Sequence, residues 1–159
     1  MQLSSSQVKN LMRRGLRLLV DPDLTAEERG KVCFFFDHRC AYCGCFIADG
    51  EGDLDHLVSS SKRGSNHISN RVLSCKPCNA EEKRETAWQE FLRDKCGGKT
   101  PTFLDRREKI QRWVVACGDS PVLPEAILEV LNDECRRMSD EYDLACQRIR
   151  EARASLPKT

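Results

Sequence analysis

Two cysteine pairs, Cys40-Ala-Tyr-Cys43 and Cys75-Lys-Pro-Cys78, constrain the fold of this chain more than any other feature. Each C-x2-C pair can present two thiolates to one tetrahedral zinc ion. The ten cysteines fall short of the roughly 8 to 10% typical of a disulfide scaffold. We therefore predict one structural zinc site, held by both pairs. The other cysteines are expected to be small core side chains: Cys33, Cys45, Cys96, Cys117, Cys135 and Cys146.

Length and hydropathy indicate one domain of a chain outside the membrane. The 159 residues fit the usual domain size, and no apolar run reaches the roughly 18 residues of a membrane span. The start MQLSSSQVKN lacks the charged and apolar regions of a secretory signal. A cytoplasmic location without membrane contact is the expectation.

The net charge of +1 hides an uneven distribution along the chain. Residues 1–20 carry +4, residues 21–55 carry −6, residues 56–113 carry +6 and residues 114–159 carry −3. The whole chain lacks the basic signature of a nucleic-acid-binding protein, whereas the segment after the first cysteine pair has it.

The residues before Arg39 predict two helices. Apolar residues recur at helical spacing from Val8 to Val20, and Asp21-Pro22 ends the run. Thr25 with Glu28 forms a capping-box pattern that would begin the second helix.

From Cys40 to about Arg84 the sequence breaks into short pieces. Phe46-Ile47 and residues 54–58 each predict a strand, residues 59–66 a polar loop and residues 71–74 an apolar return strand. Helix is favoured from Asn79 onward. Two strands and a short helix bury too little surface to be stable alone, so zinc should supply the missing stability.

Three further helices are predicted, over residues 86–95, 101–117 with Thr100 as cap, and 124–156. In the last, apolar residues alternate steps of three and four, close to a heptad seam. It is a candidate coiled-coil helix, and packing on its own domain is about as well supported as an interface with a second copy or a partner protein. The seam consists of Ile127, Leu131, Cys135, Met138, Tyr142, Ala145, Ile149 and Ala152.

The chemistry-bearing residues lie between and directly after the cysteine pairs. Asp55 and Asn79 offer oxygen ligands to a hard cation such as Mg²⁺, and His56 could take a proton from water. Adjacent strand residues point to opposite faces, so a site using both Asp55 and His56 needs a distorted strand end. The three residues together indicate a metal-dependent hydrolytic site. An iron–sulfur cluster would also accept four cysteines, but it would leave Asp55, His56 and Asn79 without a role.

The stretch CAYCGCFIADGEGDLDHLVSSSKRGSNHISNRVLSCKPCN resembles the HNH nuclease, or ββα-metal, family. That family usually reads C-x2-C, then D-H, then N, then C-x2-C-N. The resemblance implies a divalent metal, Mg²⁺ or Mn²⁺, held by Asp55 and Asn79, with His56 as general base. It further implies that Asn70 braces the loop and that the structural zinc is bound by Cys40, Cys43, Cys75 and Cys78. Cys45 could replace a zinc ligand, although the two-residue spacing favours Cys43.

Two departures from the family pattern affect the phosphate contacts. Many members have Gly-Gly in the loop where this chain has Arg63-Gly64, so Arg63 is expected to meet a phosphate. Many also have lysine three residues after the final asparagine, where Glu82 stands here and Lys83 follows. The residues expected near DNA, in or beside the loop, are Lys62, Arg63, His67, Arg71 and Lys76.

The sequence therefore predicts an α+β protein in which flanking helices, including a long C-terminal one, surround a small zinc-stapled ββα-metal core. Its segments would be an N-terminal helical part (1–39), the nuclease core (40–95) and a C-terminal helical region (96–159). The expected function is DNA cleavage. The alternative is a non-catalytic zinc module that binds nucleic acid or protein on the same scaffold.

Overall fold

A computed structural model describes residues 3–118 and 122–156. Its α+β architecture, with a two-stranded sheet and a long C-terminal helix, confirms the predicted fold class. None of the helices within these ranges combines the length and apolar composition needed to cross a bilayer. The elements in chain order are α1 (Ser5–Val20), α2 (Ala26–Phe35), β1 (Asp53–His56), β2 (Arg71–Ser74), a π-helix (Pro77–Lys83), α3 (Trp88–Lys95), α4 (Pro101–Ala116) and α5 (Glu125–Ala154).

The chain forms two compact units. One is Asp21–Leu123, which contains both strands and the core. The other joins Met1–Val20 with Pro124–Thr159, so that α1 and α5 pack together. The division at 39 and 95 drawn from the sequence stays a prediction.

The sheet is one antiparallel hairpin of β1 and β2, in which Asp55 is paired with Val72 and His56 with Arg71. All of β2 is buried, including the polar Arg71 and Ser74 at its two ends. The strand predicted at Phe46-Ile47 is wrong. Phe46 makes only an isolated bridge to Arg39, because this stretch turns back directly after the first cysteine pair.

The predicted helix starts are largely confirmed. Thr25 and Glu28 form the capping box of α2, and Thr100 caps α4 by accepting a hydrogen bond from Phe103. The helix α3 begins at Trp88 rather than at Thr86, the predicted start. Its early residues Trp88 and Phe91 are buried in the core.

The cysteines outside the two pairs are not uniformly core residues. Cys135 is buried, whereas Cys45 is exposed, which contradicts the prediction for Cys45. Small side chains pack wherever neighbours leave room, and sequence spacing does not report that room.

The helix α5 is paired with α1 inside its own unit. Lys9 of α1 forms a 2.6 Å ion pair with Asp143 of α5. The middle of the predicted seam, from Leu131 to Ala145, is half-buried or buried, whereas Ile149 is 69% exposed. The amphipathic pattern therefore serves, at least in part, to pack α5 on α1.

Candidate functional site

The four cysteines of the two pairs converge on one point. Their sulfur atoms lie within 4.8 Å of one another, and the Sγ atoms of Cys43 and Cys75 are 3.7 Å apart. A tetrahedral zinc ion with Zn–S bonds of about 2.3 Å would space its sulfurs by roughly 3.8 Å. The donor set and its spacing fit zinc. Cys45 is not a member of this four-cysteine cluster, Cys40, Cys43, Cys75 and Cys78.

The local backbone shapes the first pair as a tight knuckle. The amide of Cys40 donates to the carbonyl of Cys45, and Gly44 turns with a φ of +76°. From α4, the guanidinium of Arg106 donates to the carbonyls of Tyr42 (2.6 Å) and Cys43 (3.0 Å). L side chains rarely adopt this positive φ, so a substitution at position 44 would be strained, and its Cβ would also displace the guanidinium.

Without metal the thiols influence one another. Burial raises the pKa of Cys40. Burial also acts to raise the pKa of Cys43, but hydrogen bonds from the Cys45 backbone and from neighbouring thiols outweigh it and lower that pKa to about 7. Zinc binds thiolates, so metal binding must release protons from this cluster.

Asp55 occupies a buried polar pocket on one face of β1. Its Oδ2 accepts a 2.6 Å hydrogen bond from the Tyr42 hydroxyl and lies 3.0 Å from the ammonium group of Lys83. Burial, followed by the charge of Asp55, raises the pKa of Tyr42 well above its usual value, so the phenol remains a donor. The Oδ1 of Asp55 has only a 3.4 Å contact, also with Lys83.

The π-helix brings Lys83 to this pocket. A π-helix bonds residue i to i+5, so each turn holds about one residue more than an α-helical turn. The sequence placed Glu82 where related chains have lysine, yet Glu82 points outward and forms an ion pair with Lys95. Lys83 is only 1% exposed and also donates to the carbonyl of His56.

His56 faces a different set of partners from Asp55, as strand alternation requires. Its Nε2 lies 2.9 Å from Oδ1 of Asn66, and Nη1 of Arg71 lies 2.6 Å from Nδ1 and 2.7 Å from Nε2. Burial, and then the charge of Arg71, lower the pKa of His56 below its usual value. The imidazole is therefore neutral near pH 7.

Asn66 is a site residue that the sequence analysis missed. Its side-chain nitrogen donates to the carbonyl of Asp21 (2.9 Å) and to Oδ1 of Asp23 (3.3 Å), and its backbone amide donates to Oδ1 of Asp21 (2.6 Å). Because the amide nitrogen faces these acceptors, the amide oxygen faces His56. No sequence motif marks Asn66 as a partner of His56, since its own partners Asp21 and Asp23 lie far away in the sequence, between α1 and α2.

The two asparagines singled out from the sequence have different surroundings. Asn70 is fully buried; it accepts from the amide of Val58 and donates to the carbonyls of Val58 and Ser65, which ties both sides of the loop together. Asn79 is half-buried, and its amide nitrogen donates to Oδ2 of Asp53 at 3.3 Å.

Most residues predicted to contact DNA lie at the surface, and one does not. Lys62 donates to the carbonyl of Glu85, the His67 ring contacts Ser69, and Lys76 is exposed. Arg63 adopts a left-handed backbone with a φ of +70°. Arg71 instead points inward, at 9% exposure, and Trp113 of α4 donates to its carbonyl at 2.8 Å.

A comparison with known families identifies the segment that contains these sites. Residues 40–85 match the HNH endonuclease family. No curated protein and no solved structure matches the chain. The HNH segment, residues 40–85, holds the four-cysteine cluster together with Asp55, His56, Asn70 and Asn79. Residues outside this segment that form hydrogen bonds with it include Asp21, Arg106 and Trp113, and all three lie within the Asp21–Leu123 unit.

Proposed function

We propose that this protein is a metal-dependent endonuclease that hydrolyses phosphodiester bonds of DNA. The match of residues 40–85 to the HNH endonuclease family is the observation that carries the proposal. HNH family members act on nucleic acid as nucleases, and the matched segment includes an acid, a base and two asparagines in the family order.

Asp55 and Asn79 are the proposed ligands of the catalytic divalent metal. Within the described ranges, Oδ1 of Asp55 has only its long contact with Lys83, and the side-chain oxygen of Asn79 accepts no hydrogen bond. Two oxygen donors suit Mg²⁺ or Mn²⁺, because Mg²⁺ keeps several waters and is bound through few protein ligands. When bound, the ion would stabilise the charge that develops on the phosphate.

His56 is the proposed general base. It is neutral near pH 7 and is oriented by Asn66, so its ring could accept a proton from an attacking water. The bonds from Asn70 to Val58 and Ser65 hold the loop that follows His56 in a fixed path. Lys62, Arg63, His67 and Lys76 are proposed to contact the DNA backbone. Such contacts set affinity without reading base sequence.

The test is plasmid cleavage by zinc-loaded protein with Mg²⁺, Mn²⁺ or EDTA. His56→Ala should lower the rate by about 10² to 10⁴, the usual contribution of a positioned base, while zinc content stays unchanged. His38→Ala is the matched control, because His38 contacts Asp49 rather than the proposed site. Cleavage by His56→Ala at the wild-type rate would contradict the assignment.

A non-catalytic zinc module is the second candidate, and one observation favours it. Asp55 is already paired with Lys83, and both nitrogens of His56 have partners, as expected of a scaffold without chemistry. Zinc-dependent DNA binding, with no cleavage under any divalent metal, would decide for this alternative.

Association through α5, with a second copy or with another protein, also stays a proposal. Among the apolar residues of α5 that remain exposed are Val130 (63%) and Ile149 (69%). Light scattering of the wild type and of Val130→Asp, with matched helicity, would test it. A monomer in both cases would contradict homodimerisation.

A further inference from the structure

Arg71 is a buried cation that, within the described ranges, forms no direct ion pair with a carboxylate. Its side chain is nine-tenths buried, and within the described ranges its Nε–H donates no hydrogen bond. The carboxylates of Asp23, Asp55 and Asp21 favour its charge, but none of them forms a direct ion pair with it. Burying an unpaired charge is costly, and buried guanidinium groups normally face a carboxylate or another anion. The guanidinium of Arg71 therefore lacks a directly bonded anion.

Arg71 contacts the ring of His56 and thereby blocks the proposed general base. The oxygen of Asn66 can only accept, so Nε2 of His56 carries the hydrogen and Nδ1 carries the lone pair. Nη1 of Arg71 lies 2.6 Å from Nδ1 and 2.7 Å from Nε2, so it covers the side of the ring between the two nitrogens, and only Nδ1 can accept from it. With Nε2 donating to Asn66 and Nδ1 accepting from Arg71, the ring has no nitrogen left for a water molecule.

We infer that Arg71 is exchanged between two partners: it holds Nδ1 of His56 in the free protein and releases it to bind a phosphate group of the substrate. The inference rests on the proposed function, since it makes substrate binding the event that frees the base. Its ligand class is a phosphate or phosphodiester anion.

The energetics favour the exchange. A guanidinium–phosphate contact is charge-assisted and can be bidentate, so it is stronger than a hydrogen bond to a neutral imidazole. The exchange would also give the buried guanidinium a directly bonded anion. The backbone of Arg71 would stay in place during the exchange. It is held by its pairing with His56 in the sheet and by the hydrogen bond that Trp113 donates to its carbonyl.

The decisive experiment follows His56 directly by imidazole ¹⁵N NMR of zinc-loaded protein at constant pH. The chain has three histidines, so His38→Gln and His67→Gln assign the signals. The probe is sodium phosphate, with sodium chloride at equal ionic strength as control. Phosphate should shift Nδ1 of His56 downfield, since that nitrogen loses a hydrogen bond, and leave Nε2 nearly unchanged.

Arg71→Gln should abolish this response, whereas Arg93→Gln, which removes a surface guanidinium of α3, should retain it. Arg71→Lys should respond only at higher phosphate concentration, because an ammonium lacks the bidentate fork. A saturating phosphate titration of the wild type that leaves Nδ1 unchanged would overturn the inference, whether or not Arg71→Gln folds. So would an unaltered response in a folded Arg71→Gln protein.

Cleavage kinetics separate this inference from the proposed function. Arg71→Gln should raise KM about ten- to hundredfold, the value of one charge-assisted hydrogen bond, with a smaller loss in kcat. His56→Ala should instead lower kcat at nearly constant KM. A protein that cuts no DNA but shows the phosphate response would refute the nuclease and retain the Arg71 exchange. A loss in kcat alone for Arg71→Gln would contradict the exchange.

Discussion

The four-cysteine cluster and the polar residues around Asp55 and His56 share one short segment but are held together differently. The cluster is built from two pairs of near neighbours whose geometry is suited to one ion. Around Asp55 and His56, the carboxylate and the imidazole are instead paired with residues from other elements, such as Lys83 or Asn66. The comparison teaches that the first site is arranged for a bound ion, whereas the carboxylate and the imidazole of the second already have protein partners.

Loss of the zinc site should have the largest effect. Cys75→Ser removes one of four thiolates, and structural zinc in finger peptides contributes an apparent binding free energy of about 10–16 kcal/mol. We expect loss of bound zinc and of the cooperative thermal unfolding transition. Elemental analysis and circular dichroism measure both.

Cys45→Ser is the matched control for this cluster. Cys45 is exposed and lies outside the four converging sulfurs, so its variant should retain one zinc per chain. Zinc loss by Cys45→Ser, with retention by Cys75→Ser, would reverse the ligand assignment. Detection of iron with acid-labile sulfide in place of zinc would contradict the assignment of zinc to this cluster.

The next largest effect should come from breaking the buried ion pair between Asp55 and Lys83. Lys83→Met should lower the free energy of unfolding by about 3–5 kcal/mol, because it leaves a buried carboxylate without its cation. Lys95→Met removes a more exposed ion pair and should cost at most about 1 kcal/mol. Urea denaturation compares the two. Equal losses would show that the buried pair is no different from a surface one.

Asn70 should matter less than Lys83 but more than Asn79. Asn70→Ala orphans buried backbone groups on both sides of the loop and should cost about 2–3 kcal/mol. Hydrogen exchange at the Val58 amide should become faster. Asn79→Ala breaks a single 3.3 Å contact and should leave stability within about 0.5 kcal/mol. A larger loss from Asn79→Ala would give it a structural role.

The smallest expected effect is on the pH dependence of stability. The pKa of His56 in the folded protein lies below its usual value of 6.5, first because of burial and then because of the Arg71 charge. Below pH 6.5 the unfolded chain therefore binds more protons at this residue. The stabilisation is complete above that pH and is lost as the pH falls toward the folded-state pKa.

The measurement is the urea midpoint at pH 5.5 and at pH 7.5 for the wild type and His56→Gln. The wild type should lose more stability on acidification than His56→Gln does, since the variant has no imidazole at this position. Taking this difference cancels the titration of the cysteines. A wild-type pH dependence in His56→Gln would contradict the lowered pKa.

Local patterns account for what the sequence predicted. The helices α1, α2, α4 and α5, the cap at Thr100 and the four-cysteine set follow from spacings of three or four residues, which reflect one turn or one knuckle. The prediction at Phe46-Ile47 was wrong because two apolar residues do not specify a strand unless a partner strand is available.

The sequence by itself determined the zinc cluster, the order of Asp55, His56, Asn70 and Asn79, and the α+β class, because these depend on residue type and short-range spacing. Only the tertiary structure decided which partners each polar group has. Arg71 points inward to His56 because it is paired with that residue across the hairpin. Lys83 reaches Asp55 because a π-turn rotates it inward. Those contacts join residues that lie 15 and 28 positions apart, a separation at which sequence spacing carries no geometric information.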